Sequence, residues 1–167
     1  MTYPIITLLT DFGSKDHYTA AMKGVMLTIN PNIRIVDISH HVSPHNIIAG
    51  AFLLSNVYTY FPPGTIHLAV VDPGVGTKRK PILVKGKNFF FVGPDNGIFG
   101  LIYDRLKKFS VYELTNTNFF IKPVSITFQG RDIFAPVAAY LSRGISPLEM
   151  GKKINKFLKL PFPQPTL

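Results

Sequence analysis

Short apolar runs alternate along the chain with longer stretches in which small and apolar residues recur at helical spacing. The runs predict strands at residues 5–10, 34–38, 66–71, 81–85, 88–92 and 111–114. The longer stretches predict helices at residues 18–29, 46–60, 97–107 and 132–143. Strands that alternate with helices are typical of a wound α/β fold with a mostly parallel sheet and flanking helices. Only residues 81–85 and 88–92, joined across Gly86 and Lys87, are expected to form an antiparallel hairpin.

The last part of the chain is rich in proline. Three of the last seven residues are proline, and proline-rich segments of this kind are extended and common between domains. We therefore predict one α/β domain over residues 1–155 and a linker over residues 156–167.

Composition narrows the class of protein. The chain has no cysteine, which excludes disulfides, thiolate metal sites and thiol catalysis. No apolar run approaches the roughly 20 residues that a membrane-spanning helix needs, and the N-terminus lacks the basic region of a signal peptide. We expect a cytoplasmic protein with no membrane partner.

The formal net charge of +9 raises the alternative of a nucleic-acid-binding module. The lysines and arginines are, however, scattered over turns and helix ends, and no nucleic-acid-binding motif accompanies them. Ordinary solvated surface charge explains such a distribution, and we expect no nucleic-acid partner.

The acidic residues are few and unevenly placed. Only nine occur, and three of them follow short apolar runs: Asp11 and Asp72 directly, and Asp95 through Gly93 and Pro94. Ligands of wound α/β sheets bind in the crevice at the carboxyl ends of the strands. These carboxylates therefore indicate a ligand site at one edge of the sheet.

Each loop at that edge also has a purely structural explanation. Asp11 suits a ribose diol, which donates two hydrogen bonds, but it would equally cap the next helix. Asp72 and Arg79 flank a glycine-containing loop that suits either a phosphate cradle or a turn held by an ion pair. Its spacing fits neither the Walker nor the dinucleotide-binding fingerprint. Asp95 in the 93–97 loop either faces the crevice or caps a helix.

Two further groups of polar residues are candidates for local roles. Arg131 and Asp132 lie at a predicted helix start, where they would cap and pair locally. The histidines at 40, 41 and 45 lack a metal-ligand spacing with an acidic partner, and we expect neither a metal nor another cofactor.

Taken together, the loops resemble a known family. LLTDFG at 8–13, DISH at 37–40, VVDPGVGT at 70–77 with Arg79, GPDNG at 93–97 and TFQGRDIFAPVAA at 127–139 are similar to the motifs of the S-adenosylmethionine hydroxide adenosyltransferases. That family is related to the enzymes that make adenosyl fluoride and chloride. The resemblance extends over residues 5–165.

The resemblance implies an N-terminal α/β domain, a smaller C-terminal β domain and a homotrimer that binds S-adenosylmethionine between subunits. It implies that Asp72 and Arg79 belong to a water-activating set, whose third place is held here by Gln129. Asp11 would hold the ribose hydroxyls. The substrate-binding residues it implies are Asp11, Phe12, His45, Pro73, Asp95 and Asn96.

The chain departs from the family twice. Gln129 stands where related hydrolases have histidine, and a carboxamide orients water but accepts no proton at neutral pH. The sequence also stops at the predicted linker, before the β domain. We therefore expect a hydrolase that converts S-adenosylmethionine to adenosine and L-methionine, impaired by both departures. The alternative is a non-catalytic domain that binds adenosine or S-adenosylmethionine, or serves as an assembly fragment.

Overall fold

The computed structural model describes residues 3–162. Its strands are β1 (Ile5–Thr10), β2 (Arg34–Ser39), β3 (Ile66–Val70), β4 (Pro81–Lys85), β5 (Phe90–Pro94), β6 (Ser110–Leu114) and β7 (Gly151–Ile154). Its α-helices are α1 (Tyr18–Ile29), α2 (Ile47–Val57), α3 (Gly100–Arg105), α4 (Ala135–Ser142) and α5 (Pro147–Met150). Among the described helices, none is long and apolar enough to cross a membrane.

The strands form one sheet in the order β2-β1-β3-β5-β4-β6-β7. Strands β2, β1, β3 and β5 pair in parallel. The pairs β5–β4, β4–β6 and β6–β7 are antiparallel. The predicted α/β fold and the hairpin of β4 and β5 are confirmed, with a parallel core and an antiparallel extension at one side.

Helices cover both faces of the sheet. On one face, α1 and α4 pack together over a cluster that includes Leu8 and Met22. On the other, α2 and α3 cover a second cluster that includes Leu9 and Leu54. Neighbouring strand residues such as Leu8 and Leu9 thus serve different layers, because successive side chains of a strand point to opposite faces.

Several predicted bounds differ from the structure. The second helix ends at Val57 and continues as a 3₁₀ turn over Tyr58–Tyr60. The third starts only at Gly100, because the chain first turns through Gly97, whose φ of 97° lies in the left-handed region. The last helix begins as a π-helical turn, Gly130–Phe134, before α4. Strand β7 and helix α5 were not predicted, since a strand reading Gly-Lys-Lys-Ile carries almost no apolar signal.

The start of the predicted linker packs on the domain. The Phe157 ring lies 4.7 Å from the Tyr103 ring, centroid to centroid, and the backbone N–H of Leu158 donates to Oδ1 of Asp95 at 2.8 Å. Leu160 fills the space beside Gly97, where an added Cβ would lie 2.3 Å from its Cγ. Residues 163–167 lie outside the described part of the chain, and the role of residues 156–167 as a linker stays a prediction.

Candidate active site at the carboxyl edge of the parallel strands

Asp11 and Asp72 lie at the same edge of the sheet. Strands β1 and β3 run in parallel with Thr10 opposite Val70, so the residues that follow both strands emerge side by side. That the two loops line one crevice stays a prediction, whereas their common edge of the sheet is confirmed. The common edge follows from parallel pairing alone, since the carboxyl ends of parallel strands meet at one edge.

The three residues predicted to act on water form one hydrogen-bonded cluster. Nε of Arg79 donates to Oδ1 and Oδ2 of Asp72 at 3.0 and 2.9 Å, and Nη2 contacts Oδ2 as well. The same Nη2 donates to Oε1 of Gln129 at 2.5 Å. The side chains of Arg79 and Asp72 are 9% and 4% exposed, so this ion pair is largely shielded from solvent and its geometry is fixed.

A tight loop holds this ion pair in place. The Thr77 hydroxyl donates to the Gly74 carbonyl oxygen at 2.7 Å and accepts from the Arg79 backbone N–H at 3.3 Å. Gly76 has a φ of 77°, and a Cβ there would lie 2.4 Å from the Ile126 carbonyl oxygen. The loop is therefore a turn held by an ion pair, which is one of the two explanations that the sequence left open. This turn places Arg79 beside Asp72 and Gln129.

The orientation of Gln129 decides what the site offers a ligand. Its carbonyl oxygen accepts from Arg79, so its NH₂ group is the part that remains to bind a ligand. The guanidinium of Arg79 also lies over the Phe134 ring, 5.2 Å from the centroid, which restrains it further. The cluster thus presents N–H donors and a carboxylate whose oxygens already accept from Arg79, and no neutral imidazole.

Asp11 is held by the chain that follows β2. Its Oδ2 accepts from the backbone N–H of His45 at 2.8 Å, and His45 has a φ of 63°, which is unusual for a residue other than glycine. The alternative that Asp11 caps the next helix is wrong, because α1 begins at Tyr18 and His17 holds the N-cap position. One carboxylate oxygen is thereby oriented by the protein, and Oδ1 is left for a ligand.

Phe12 connects the Asp11 loop to the turn that carries Gln129. Its ring packs edge-on against the Phe128 ring with 6.1 Å between centroids. Gly130 lies against the same ring, since a Cβ there would lie 3.4 Å from Phe12 and 3.2 Å from the Met22 sulfur. A shift of either loop would therefore move the other.

The GPDNG loop contributes mainly structure. Nδ2 of the buried Asn96 donates to the Val71 carbonyl oxygen at 2.8 Å and so ties the end of β5 to the residue before Asp72. Asp95 caps no helix, because Phe99 holds the N-cap position of α3. Burial raises the pKa of the Asp95 carboxyl against the opposing hydrogen bond from Leu158. Neither Asp95 nor Asn96 makes a hydrogen bond to Asp72, Arg79 or Gln129.

The remaining predicted residues are accounted for locally. Pro73 is exposed beside Asp72. Asp132 is fully buried and accepts from Arg131 Nε at 2.6 Å and from the Ser125 N–H at 2.8 Å. Local pairing therefore explains Arg131 and Asp132. Within residues 3–162, no group of three or more histidine or acidic residues is arranged to hold a metal ion.

Sequence reasoning missed a polar chain beneath the Asp11 loop. The buried Thr10 hydroxyl accepts from the Phe12 N–H at 3.3 Å and lies 2.9 Å from Nδ1 of His40. His40 Nε2 lies 3.1 Å from Oδ1 of Asp37. A ring proton on Nε2, facing Asp37, suits both contacts, because the Thr10 hydroxyl can then donate to Nδ1 while it accepts from Phe12. The motifs LLTD and DISH contained this signal, but not the proximity of the two strand ends.

Lys23 completes this polar chain at the surface. Its Nζ lies 2.6 Å from Oδ2 of Asp37. Burial acts to raise the pKa of Asp37, but the hydrogen bonds from Lys23 and His40 outweigh it and hold that pKa below its usual value. Asp37 therefore stays ionised and keeps His40 oriented toward Thr10.

Comparisons with known proteins identify a family and several relatives. The SAM hydroxide adenosyltransferase N-terminal domain matches residues 6–151. A protein of Methanocaldococcus jannaschii named (R)-S-adenosyl-L-methionine hydrolase is 44% identical over 140 residues, which cover 81% of this chain and 52% of that protein. A protein of the same name from Salinispora tropica is 40% identical over 166 residues, covering 96% and 62%.

A solved structure shares the fold closely. The crystal structure of an uncharacterized conserved protein from Thermotoga maritima superposes with a TM-score of 0.94 at 40% identity, over 97% of this chain and 63% of that one. The chain thus spans between about half and two thirds of the length of these proteins. The matched region, the identities and the shared fold together show that the chain belongs to the SAM hydroxide adenosyltransferase family, of which it contains the N-terminal domain.

Proposed function

We propose that this site binds S-adenosylmethionine and directs water to C5′ of its ribose, which releases adenosine and L-methionine. The names of the relatives from Methanocaldococcus jannaschii and Salinispora tropica support this reaction. The observation that carries the proposal is the shielded cluster in which Arg79 is held between Asp72 and Gln129, at the sheet edge that also carries Asp11.

The proposed roles follow from the donors and acceptors at that edge. Oδ1 of Asp11 accepts from a ribose hydroxyl, while His45 fixes its other oxygen. Arg79 and the NH₂ group of Gln129 hold a water in line with the C5′–sulfur bond, and such positioning alone removes a large part of a barrier. The leaving group is a neutral thioether, so the reaction needs no general acid.

The presence of Gln129 favours a second candidate function, in which the site binds S-adenosylmethionine but hydrolyses it slowly or not at all. The water loses a proton during the attack, and a carboxamide does not accept it. The oxygens of Asp72 already accept hydrogen bonds from Arg79, so Asp72 is a weak replacement. General-base assistance contributes about 10²–10⁴-fold, and hydrolysis is expected to lie that far below the histidine-bearing relatives.

Adenosine release from S-adenosylmethionine, followed by chromatography, tests the proposal. The assay compares the chain, its Arg79→Met variant and a fusion to the C-terminal remainder of a full-length relative. Hydrolysis that Arg79→Met abolishes supports the proposed reaction. Saturable binding of S-adenosylmethionine without release in any form supports the second candidate, and absence of both contradicts the site assignment.

We also propose a domain arrangement and an assembly. The chain covers only part of the length of its relatives. This partial coverage supports a first domain over residues 1–155, which residues 156–167 connect to a C-terminal β domain. The outer face of α2 and the following turn expose Ile48, Phe52, Leu53 and Tyr60, with Phe52 60% and Tyr60 84% exposed. Large apolar side chains exposed on one helix and the turn after it favour contact with another chain, and we propose a homotrimer.

A further inference from the structure

A second cavity lies at the opposite edge of the sheet from the Asp72 cluster. It is bounded by the hairpin that joins β4 to β5 and by the loop that joins α3 to β6. Lys85 and Ser110 are cross-strand partners, which brings these two loops together. Phe90 pairs with Ile66, the first residue of β3, whereas Asp72 follows the end of β3. The length of the central strands therefore separates the two sites.

The walls of this cavity are basic and contain no acidic residue. Lys85 ends β4 and Lys87 lies in the hairpin turn, whereas Arg105 ends α3 and is followed by Lys107 and Lys108 in the other loop. Within residues 3–162, none of these five side chains forms an ion pair. Five like charges around one concavity raise its positive potential, and a bound anion relieves their repulsion.

Arg105 is the best-positioned of these cations. Its Nη1 donates to the Ser55 carbonyl oxygen at the end of α2, which anchors the guanidinium on the rim. The remaining N–H groups of that planar fork suit the oxygens of a phosphate. The lysines then provide flexible ammonium groups around the same point.

Aromatic side chains also line the cavity. Phe89 is half-buried and packs edge-on against the buried Tyr58, with 5.4 Å between centroids. Phe109 stacks on Tyr103 at 5.1 Å. Tyr58, Phe89 and Phe109 all line the cavity, and aromatic rings of this kind stack on the bases of nucleotides. An inorganic anion would use the basic rim and leave these rings unoccupied.

We propose that this cavity binds a nucleoside polyphosphate, with the phosphates on the basic rim and the base against Phe89 and Phe109. Its volume of about 770 Å³ lies in the range of small-molecule clefts, about 300–1,000 Å³. One concavity of this size, bounded by two short loops, suits one nucleotide better than a strand of nucleic acid, which needs a groove that continues beyond it. The proposal does not rest on the function proposed for the Asp72 cluster.

Calorimetric titration of the chain with ATP at physiological salt tests the proposal. The Lys85→Gln/Lys107→Gln variant removes one charge from each loop and is expected to weaken ATP binding at least about tenfold. Lys15→Gln/Lys122→Gln is the matched control, since it removes the same charge from exposed positions outside the cavity. It is expected to bind ATP within about twofold of the unmodified chain.

Separate ligands identify what the cavity recognises. Inorganic triphosphate is expected to bind more weakly than ATP, and adenosine is not expected to displace ATP. The proposal is overturned if ATP shows no saturable binding, if the control loses as much affinity as the cavity variant, or if triphosphate equals ATP. Displacement of ATP by adenosine would place it in the other site, and tighter binding of a short single-stranded oligonucleotide would identify a nucleic-acid surface instead.

Discussion

Replacing Gln129 by histidine tests the central chemical step proposed for this chain. Gln129 holds its carbonyl oxygen against Nη2 of Arg79, and it supplies no group that accepts a proton from water. A histidine at this position supplies such a group. The change therefore separates the orientation of water, which glutamine provides, from the removal of its proton.

The expected gain follows from two opposing effects. General-base assistance contributes about 10²–10⁴-fold, with a middle value near 10³. A neutral imidazole that accepts from Arg79 through one nitrogen carries its proton on the other, so it must release Arg79 before it takes a proton. Loss of a hydrogen bond to a charged group costs about 2 kcal/mol, which is about thirtyfold in rate. The net expectation is an increase in turnover of about thirtyfold.

The assay is adenosine release as a function of pH, in the unmodified chain and in Gln129→His, each also as the fusion to the remainder of a relative. The histidine variant is expected to gain an acidic limb near the usual imidazole pKa of about 6.5, because only the neutral ring accepts a proton. The glutamine form lacks that limb. Gln129→Leu serves as the control for orientation, and it is expected to be slower than both.

Two results would refute this reasoning. Equal turnover of the glutamine and histidine forms would mean that removal of the proton is not limiting and that the NH₂ group of Gln129 suffices. A faster histidine form with an unchanged pH profile would mean that the ring acts through Arg79 and not as a base.

Further predictions concern stability, pH and assembly. Asp72→Ala leaves Arg79 shielded and unpaired, so urea denaturation should show a loss of about 3–5 kcal/mol, whereas Asp16→Ala at an exposed position should change little. Burial lowers the pKa of His67 from 6.5 to about 3, so His67 takes up a proton at a higher pH in the unfolded chain than in the folded one. The free energy of unfolding should therefore fall by about 1.4 kcal/mol per pH unit as the pH drops from about 6.5 to 3. His67→Phe should remove that part of the slope. Sedimentation of the chain should show a trimer, and Phe52→Asp should yield monomers.

The order of elements and the position of the carboxylates were predictable because they depend on local patterns. Strands and helices follow from apolar spacing, and parallel pairing then places the ends of β1 and β3 at one edge. The roles of Asp11 and Asp95 as helix caps could not be settled in this way. Helix α1 begins at Tyr18, as predicted, but α3 begins at Gly100 and not at residue 97, and only the structure shows which residue holds each N-cap position.

Contacts between distant segments set the limit of prediction. The link from Thr10 to His40 requires β1 and β2 to be neighbours in a particular register. The contact of Gln129 with Arg79 joins residues 50 positions apart. Motif resemblance named Gln129 as a member of the cluster, but only the structure shows which end of its amide faces Arg79. That orientation determines whether the site offers a donor or an acceptor to the nucleophile.

The charge balance of the cluster bears on the choice of nucleophile. Arg79 by itself would attract a halide ion, but its charge is compensated by Asp72, which shares a shielded ion pair with it. A halide at the water position would gain little net attraction from this pair and would lie close to a carboxylate, and like charges repel strongly where water is excluded. Water carries no charge, so the Asp72 carboxylate does not repel it. We therefore expect no 5′-halo-adenosine when the chain or its fusion is incubated with S-adenosylmethionine and chloride or fluoride. A halogenated product above the adenosine background would show that Arg79 acts on the nucleophile as an uncompensated cation.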